Sequence, residues 1–317
     1  MKWKKICAVL CATLLVTSTA LSAEKKSSSK NSSTEKVKIK ATDELKADEI
    51  DYDMDTEKVV ASGQVFMKHK EKVSAKNGKG KKKDVPSEVN ADKVDYDMKT
   101  GIVTATGNVL LKHGTGKEMA KATGERAMYN VNTQESYLTG KVIVTREGLK
   151  VTCDRLTNDG QGYIQADGNV NGTQKIEPNE QYPKGDVRTF KGEHVDYYPD
   201  EKKHIIIPGG GILTSKVEGK FTADYIEGWI DDEYYFGTGN VSIDNPPKEM
   251  KGGGDRIDYY ANENGKAVLS GNAWVTQKNN TMRGNRLTVY LADEQTQNKP
   301  AENSLPHENL LDSPFQN

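Results

Sequence analysis

The chain has 317 residues, with 45 Lys and Arg against 46 Asp and Glu, 34% hydrophobic residues and 29% charged ones. A net charge of −1 excludes a basic nucleic-acid binder. So small an apolar share excludes a thick α/β core and points to a thin or extended one.

The first segment reads as a secretory leader. Lys2, Lys4 and Lys5 precede the apolar run Ile6 to Val16, and Ser18-Thr19-Ala20 and Leu21-Ser22-Ala23 each end in a small residue. The run is about half the ~20 residues a membrane span needs, so the expectation is export and cleavage after Ala20 or Ala23. Without its three lysines the chain carries 42 basic against 46 acidic residues, or −4. Cys7 and Cys11 leave with the leader. The remaining Cys153 can form no internal disulfide and reads as a small buried strand residue.

Glu24 to Lys46 is rich in Ser and Lys and reads as a disordered lead-in. From residue 47 to 291 one pattern recurs: small residue, acid, any, aliphatic, any, Tyr, then Asp or Asn. It reads Ala47-Asp-Glu-Ile50-Asp-Tyr52-Asp, Ala91-Asp-Lys-Val94-Asp-Tyr96-Asp and Gly124-Glu-Arg-Ala127-Met-Tyr129-Asn. Weaker or clearer copies start at Cys153, Gly192, Ala223, Gly254 and Gly284, so starts lie 29 to 44 residues apart. A glycine corner and a short aliphatic run follow most copies, as in Ala105-Thr-Gly107-Asn-Val109-Leu-Leu111 and Gly237-Thr-Gly239-Asn-Val241-Ser-Ile243. Near residue 210 the corner is a glycine triplet and the register is ambiguous.

Alternation with period two makes these segments strands with one apolar face. Asp53-Met-Asp-Thr56, Asp97-Met-Lys-Thr-Gly101 and Asn130-Val-Asn-Thr133 carry turn chemistry. A glycine at the same place inside every unit predicts a recurring bend. The expectation is therefore all-β: an elongated, twisted β-jelly-roll or solenoid in which two sheets face each other across an apolar slot. Lys72 to Ser87 reads as an exposed lysine-rich loop, solvated or in contact with anionic headgroups. Gly172 to Arg188 and Asn245-Pro-Pro-Lys248 read as surface insertions, and 292–317 as a flexible tail.

Catalytic signatures are missing from the sequence: no Gly-x-Ser-x-Gly elbow, no phosphate loop and no His-Glu-x-x-His. No cofactor and no metal are expected. His194 and His204 stand ten residues apart and read as surface residues. The acids Asp92, Glu125, Asp154, Glu193, Asp224 and Asp255 recur in register at strand starts, where turn and solvent roles are expected.

The Ala/Gly-Asp-x-aliphatic-x-Tyr-Asp unit followed by Thr/Ser-Gly-Asn-Val resembles the OstA-like domain of lipopolysaccharide-transport proteins, the LptA and LptD N-terminal family. Ala91 to Leu111, Ala122 to Val144, Tyr235 to Ile243 and Asp255 to Val275 carry the resemblance, which extends over most of the chain after the leader. It implies a periplasmic bridge, not an enzyme, that shields lipid A acyl chains in an apolar groove between the inner and outer membranes. It further implies edge-strand pairing with the inner- and outer-membrane transport components and head-to-tail self-association. The chain departs from the family pattern in its greater length and number of repeats. On this reading the groove is lined by Ile50, Tyr52, Val65, Met67, Val94, Tyr96, Val109, Leu111, Val142, Val144, Val241, Ile243 and Val275. The residues also permit a structural β-solenoid of the envelope without a ligand, and a polysaccharide-active β-helix enzyme built on the recurring acids.

Overall fold

The computed structural model describes residues 44–73, 83–116, 119–179, 182–263 and 265–291. The leader, residues 24–43, the middle of the lysine-rich segment and the expected tail lie outside the described residues. The strands are β1 Glu44–Lys46, β2 Glu49–Asp53, β3 Lys58–Val73, β4 Lys83–Asp97, β5 Ile102–His113, β6 Ala120–Asn130, β7 Ser136–Arg146 and β8 Leu149–Asn158. They continue as β9 Ile164–Ile176, β10 Asp186–Tyr198, β11 His204–Ser215, β12 Gly219–Trp229, β13 Tyr234–Asn245, β14 Met250–Tyr260, β15 Lys266–Gln277 and β16 Asn280–Tyr290. Two short 3-10 turns span Ile230–Asp232 and Pro246–Lys248.

All strands join one antiparallel sheet in sequence order, β1-β3-β4 through to β16, with β2 also on β3. β1 pairs with Phe66 to Lys68 and β2 with Lys58 to Ser62, so the two are halves of one broken edge strand. The sequence-based expectation of two facing sheets is thus met by a single continuous sheet. Its inward residues are nevertheless buried, Leu111 and Leu138 completely, although no helix covers them. A lone sheet can bury one face only by folding over on itself, and the corner makes it do so.

The corner sits on alternate strands, β3 through β15. On β5, Thr106 pairs with Lys93 and Leu110 with Asn90, which puts one extra residue on β5. Gly107 and Asn108 take φ of 73° and 48° there. Most side chains clash in this left-handed region; Gly is free of the penalty and Asn is one of the few others that tolerates it. The chemistry of the site therefore selects the recurring Gly-Asn pair. Gly209 and Gly210 fill the same place on β11, with a register shift between Pro208 and Gly211, which settles the ambiguous register.

The repeat acid holds the corner from the preceding strand. Asn108 Nδ2 donates to Asp92 Oδ2 at 2.9 Å, Asn169 to Asp154 at 3.0 Å, Asn240 to Asp224 at 2.7 Å and Asn272 to Asp255 at 3.0 Å. Each bond spans two strands, so the acids form structural brackets along the outside of the bend. At the far ends of the strands the predicted turns close as Asx turns. Asp53 Oδ1 accepts the amides of Asp55 and Thr56, Asp97 Oδ1 those of Lys99 and Thr100, and Asn130 Oδ1 those of Asn132 and Thr133.

The corner divides every long strand into two halves. The halves ending at the Asx turns form one leaf, here leaf A; the halves ending at 114–119, 147–148, 177–185, 216–218 and 246–249 form leaf B. The two leaves meet at the corners and face each other across a thin core of Val, Ala, Leu and Ile. Burying one Leu or Val here contributes about 1.5–3 kcal/mol.

Four expectations need correction. Glu44–Lys46 is strand β1, so the lead-in ends earlier than Lys46. Lys70 pairs with Pro86 and Val73 with Lys83, so both flanks of the lysine-rich segment continue the ladder and are not loop. In the stretch Gly172 to Arg188, β9 runs on to Ile176 and β10 starts at Asp186, and Tyr182 and Asp186 are buried. Asn245 is completely buried, because its side chain accepts from Lys248 N and donates across the leaves to Leu291 O.

Candidate functional site: the slot between the leaves

Eleven of the thirteen expected lining residues face the space between the leaves and are buried: Val65, Met67, Val94, Tyr96, Val109, Leu111, Val142, Val144, Val241, Ile243 and Val275. They pack against one another in a single cluster. Ile50 and Tyr52 do not join it; they are 48% and 53% exposed. Both point inward by register, opposite Ala61 and Val59, but they stand on the first edge strand, with no further unit stacked on them among the described residues. The other edge repeats the situation, where Met282 on β16 is 52% exposed.

The inward set is larger than expected. Leu138, Leu156, Ile207, Ile226, Ile257 and Leu269 hold equivalent positions and are buried. The same period-two signal marks them in the sequence. Where the interior takes an aromatic ring, a glycine on the neighbouring strand makes room: a Cβ on Gly172 would lie 1.9 Å from Phe190, and one on Gly237 2.4 Å from Phe221.

The repeat tyrosine has a distinct position. Tyr96, Tyr129, Tyr197 and Tyr259 occupy matching sites near the tip of leaf A, rings inward. Burial raises the pKa of Tyr129, and burial followed by nearby Asp231 pushes Tyr197 up to about 12. Polar groups line the opposite lip on leaf B. Ser87, fully buried, is 2.9 Å from His113 Nδ1. Asp186 Oδ2 accepts from Ser215 Oγ at 2.8 Å. At the far end Asn245 Nδ2 donates to Leu291 O at 3.0 Å and Lys248 Nζ to Tyr290 O at 2.9 Å, tying leaf B to leaf A. The slot is therefore apolar inside and polar along its mouth.

Cys153 faces inward and is buried, and burial, then Asp154, pushes its thiol up to about 12. A thiol held so far from ionisation is unreactive. No group of His, Cys, Asp and Glu suited to a metal occurs among the described residues.

The outer face of leaf A carries a ladder of rings from Tyr163, just before β9, to Tyr260 on β14. Tyr163 stacks on Tyr198 at 5.0 Å and His204 on Trp229 at 4.6 Å, and Tyr234 follows at 5.9 Å from Trp229. His204 is thus wedged between Tyr198 and Trp229 with only 12% of its side chain exposed, contrary to its expected surface place. His194 bonds Asp167 through Nδ1 at 2.6 Å and Asp196 through Nε2 at 2.8 Å. Burial acts to lower its pKa, but the two carboxylates outweigh it and hold the imidazolium above its ordinary value.

A group with a raised folded-state pKa stabilises most fully below its unfolded value, and that contribution disappears as pH rises through the folded value. His194→Gln is therefore expected to lower the thermal midpoint most near pH 5.5 and progressively less toward about pH 8.5, above the ordinary His value of about 6.5. A constant difference across a melting series at those pH values would rule the network out as a pH-dependent stabiliser.

Residues 233–295, which hold β13 to β16, match the family model described as LptA/(LptD N-terminal domain) LPS transport protein. Among solved structures the chain is similar to LptH, described as the LptA homologous periplasmic component of the lipopolysaccharide transport device from Pseudomonas aeruginosa. The likeness has 18% identity and a TM-score of 0.30, over 38% of this chain and 76% of that one. No curated protein matches the sequence. No helix among the described residues is long and apolar enough to cross a membrane, which says nothing of β-barrels. The family match thus falls on the last four strands, and the same strand unit and corner recur upstream of it.

Proposed function

We propose that the chain is a periplasmic carrier that holds the acyl chains of lipopolysaccharide between its two leaves and passes them along the sheet axis without making or breaking bonds. The observation that carries this reading is the interior itself: apolar side chains from every unit face one continuous cluster between the leaves, with polar groups along its margin. In this structure the leaves pack against each other, so an acyl chain enters by exchanging leaf-to-leaf contacts for leaf-to-lipid contacts. That exchange is apolar for apolar and nearly neutral. The gain is the removal of the acyl chain from water, about 0.8 kcal/mol per CH₂.

The two edges of the sheet, open among the described residues, support the assembly part of the proposal. Unpaired edge strands are templates for further strands, and the exposed inward residues Ile50, Tyr52 and Met282 are those a stacked neighbour would cover. Head-to-tail pairing, or pairing with transport components at either membrane, would extend the slot. The leader and cleavage after Ala20 or Ala23 belong to the same proposal.

Dense leaf-to-leaf packing favours a second reading, an envelope scaffold with no ligand. Photo-crosslinking in cells separates the two. A photoreactive residue at Val109, Leu111 or Ile243 is expected to yield lipopolysaccharide adducts, whereas one at outward Leu110 or Ser242 is not. Equal labelling of both sets, or none at the inward set, would leave the scaffold.

A further inference from the structure

Water reaches the interior unevenly. On leaf B one inward row runs, partner to partner, from Met67 on β3 to Val275 on β15. Its members on β3 to β7 and on β13 to β15 are buried, but Phe190, Leu213 and Phe221, on β10 to β12, are partly exposed. The matching inward row on leaf A changes at the same strands. It is buried from Val59 on β3 to Ile164 on β9, and Tyr197 and Ile205 are then partly exposed. A third row lies one step nearer the mouth on leaf B. There Ser87, Ala120, Asn245 and Met250 are buried, whereas Leu149 and Gln174 are exposed and Arg188 and Ser215 partly so.

None of the strands β8 to β12 is an edge; each is paired on both sides. Water therefore reaches these inward residues through the mouth. Nearer the corner Val195, Ile207, Ala223 and Ile226, on β10 to β12, stay buried, so the leaves still meet at the base. Toward the end of the sheet the mouth is tied shut by the bonds from Asn245 to Leu291 and from Lys248 to Tyr290. The result is a side opening from β8 to β12, apolar in its depth and polar at its lip. It covers four strand spacings of about 4.8 Å, or ~19 Å. The acyl chains of one leaflet fill about half of a bilayer's ~30 Å hydrocarbon core, so one such chain fits along it. Apolar groups gathered at an opening, with a few polar groups at the rim, are what a ligand with a hydrocarbon tail and a polar head requires.

We propose that this opening is a side entrance, by which the acyl tail of a lipid passes between the leaves at β8 to β12. Phe190, Leu213, Phe221, Tyr197 and Ile205 are the residues the tail covers first, and its polar head stays at the lip beside Gln174, Arg188 and Ser215. Loading is thus lateral, and the ends of the sheet are left to neighbouring units. This rests on the lipid-carrier reading and adds the place of entry.

The test uses the full chain with Cys7 and Cys11 replaced by serine; Cys153 is buried and stays as an unreactive background. Single thiols are introduced by Ile205→Cys and Leu213→Cys in the opening, and by Leu111→Cys and Val275→Cys in the closed stretches. A charged, water-soluble methanethiosulfonate should modify the first pair roughly tenfold faster than the second. A saturating fluorescent long-chain fatty acid should slow that reaction at positions 205 and 213. A bulky maleimide adduct at position 213 should weaken fatty-acid uptake roughly tenfold. The same adduct on Ser242→Cys, exposed on the outer face of leaf B, should leave uptake unchanged.

Equal modification rates at all four positions would overturn the opening. Uptake that survives adducts at both 205 and 213 would overturn the entrance and leave the carrier reading in place. Failure of every form, the unmodified protein included, to take up fatty acid would remove both. Should one adduct unfold the protein, the other decides, together with protection of the two free thiols by the fatty acid.

Discussion

Gly107→Ala is expected to destabilise the protein by about 3 kcal/mol or more, while Gly209→Ala, at the equivalent corner of β11, costs only about 1 kcal/mol. Both glycines have positive φ, 73° and 75°, so both substitutions incur the left-handed penalty. They differ in what the new methyl group meets. At Gly107 it would lie 2.2 Å from Asp92 Oδ2, 2.7 Å from its Cγ and 2.8 Å from its Cβ, whereas at Gly209 nothing lies within 4 Å. A flexible carboxylate tip could swing away, but the Cβ moves only with the β4 backbone. Turning the carboxylate aside would also break the Asn108–Asp92 bond, for a further ~0.5–1.5 kcal/mol. Urea unfolding of the two variants compares them directly. Equal shifts would show that the acid does not bracket the corner.

Leu138→Ala is the second large effect, with an expected loss of about 2–5 kcal/mol. Leu138 is completely buried, and its Cδ1 would lie 2.7 Å from a Cβ on Gly124, so backbone and side chain are fitted closely and the cavity left behind cannot easily collapse. Leu287 occupies the matching inward position on the open edge strand β16 and is only partly covered. Its replacement by alanine should cost about 1 kcal/mol, because much of the side chain already meets water. Thermal unfolding distinguishes a graded response from a uniform one. Similar losses at both sites would mean that the edge strand is covered in solution. A saturating long-chain fatty acid should recover part of the Leu138→Ala loss through binding to the folded state, and no recovery would count against a lipid-accepting slot.

Much of the fold was legible because its two rules are local. Alternation identified the inward residues of β5, β7, β13 and β15, and the Gly-Asn pair marked the bend without any knowledge of what faced it. The role of the recurring acids was not legible. Asp92 lies 16 residues from Asn108, and only the strand register brings the two together; in the sequence, that series looked as much like a row of catalytic carboxylates as like brackets. Ile50 and Tyr52 carry the motif in full, yet their burial depends on a further unit beyond β2, and none stands there among the described residues. The bonds among Tyr182, Arg188 and Glu218 escaped notice for the opposite reason: they follow no repeat, since Tyr182 and Glu218 fall in connections of irregular length and Arg188 stands near the start of β10.

Among the described residues the long strands β3 to β16 run in strict sequence order, each pairing only with the strands beside it. Reach is consequently an additive property of this architecture. With neighbouring strands about 4.8 Å apart, one pair of strands spans ~10 Å. Excising or duplicating a pair such as Ala120 to Arg146 should shorten or lengthen the molecule by that step and leave the remaining corners intact. A gap of given width between two surfaces could then be matched by gene duplication alone, with no new packing to invent.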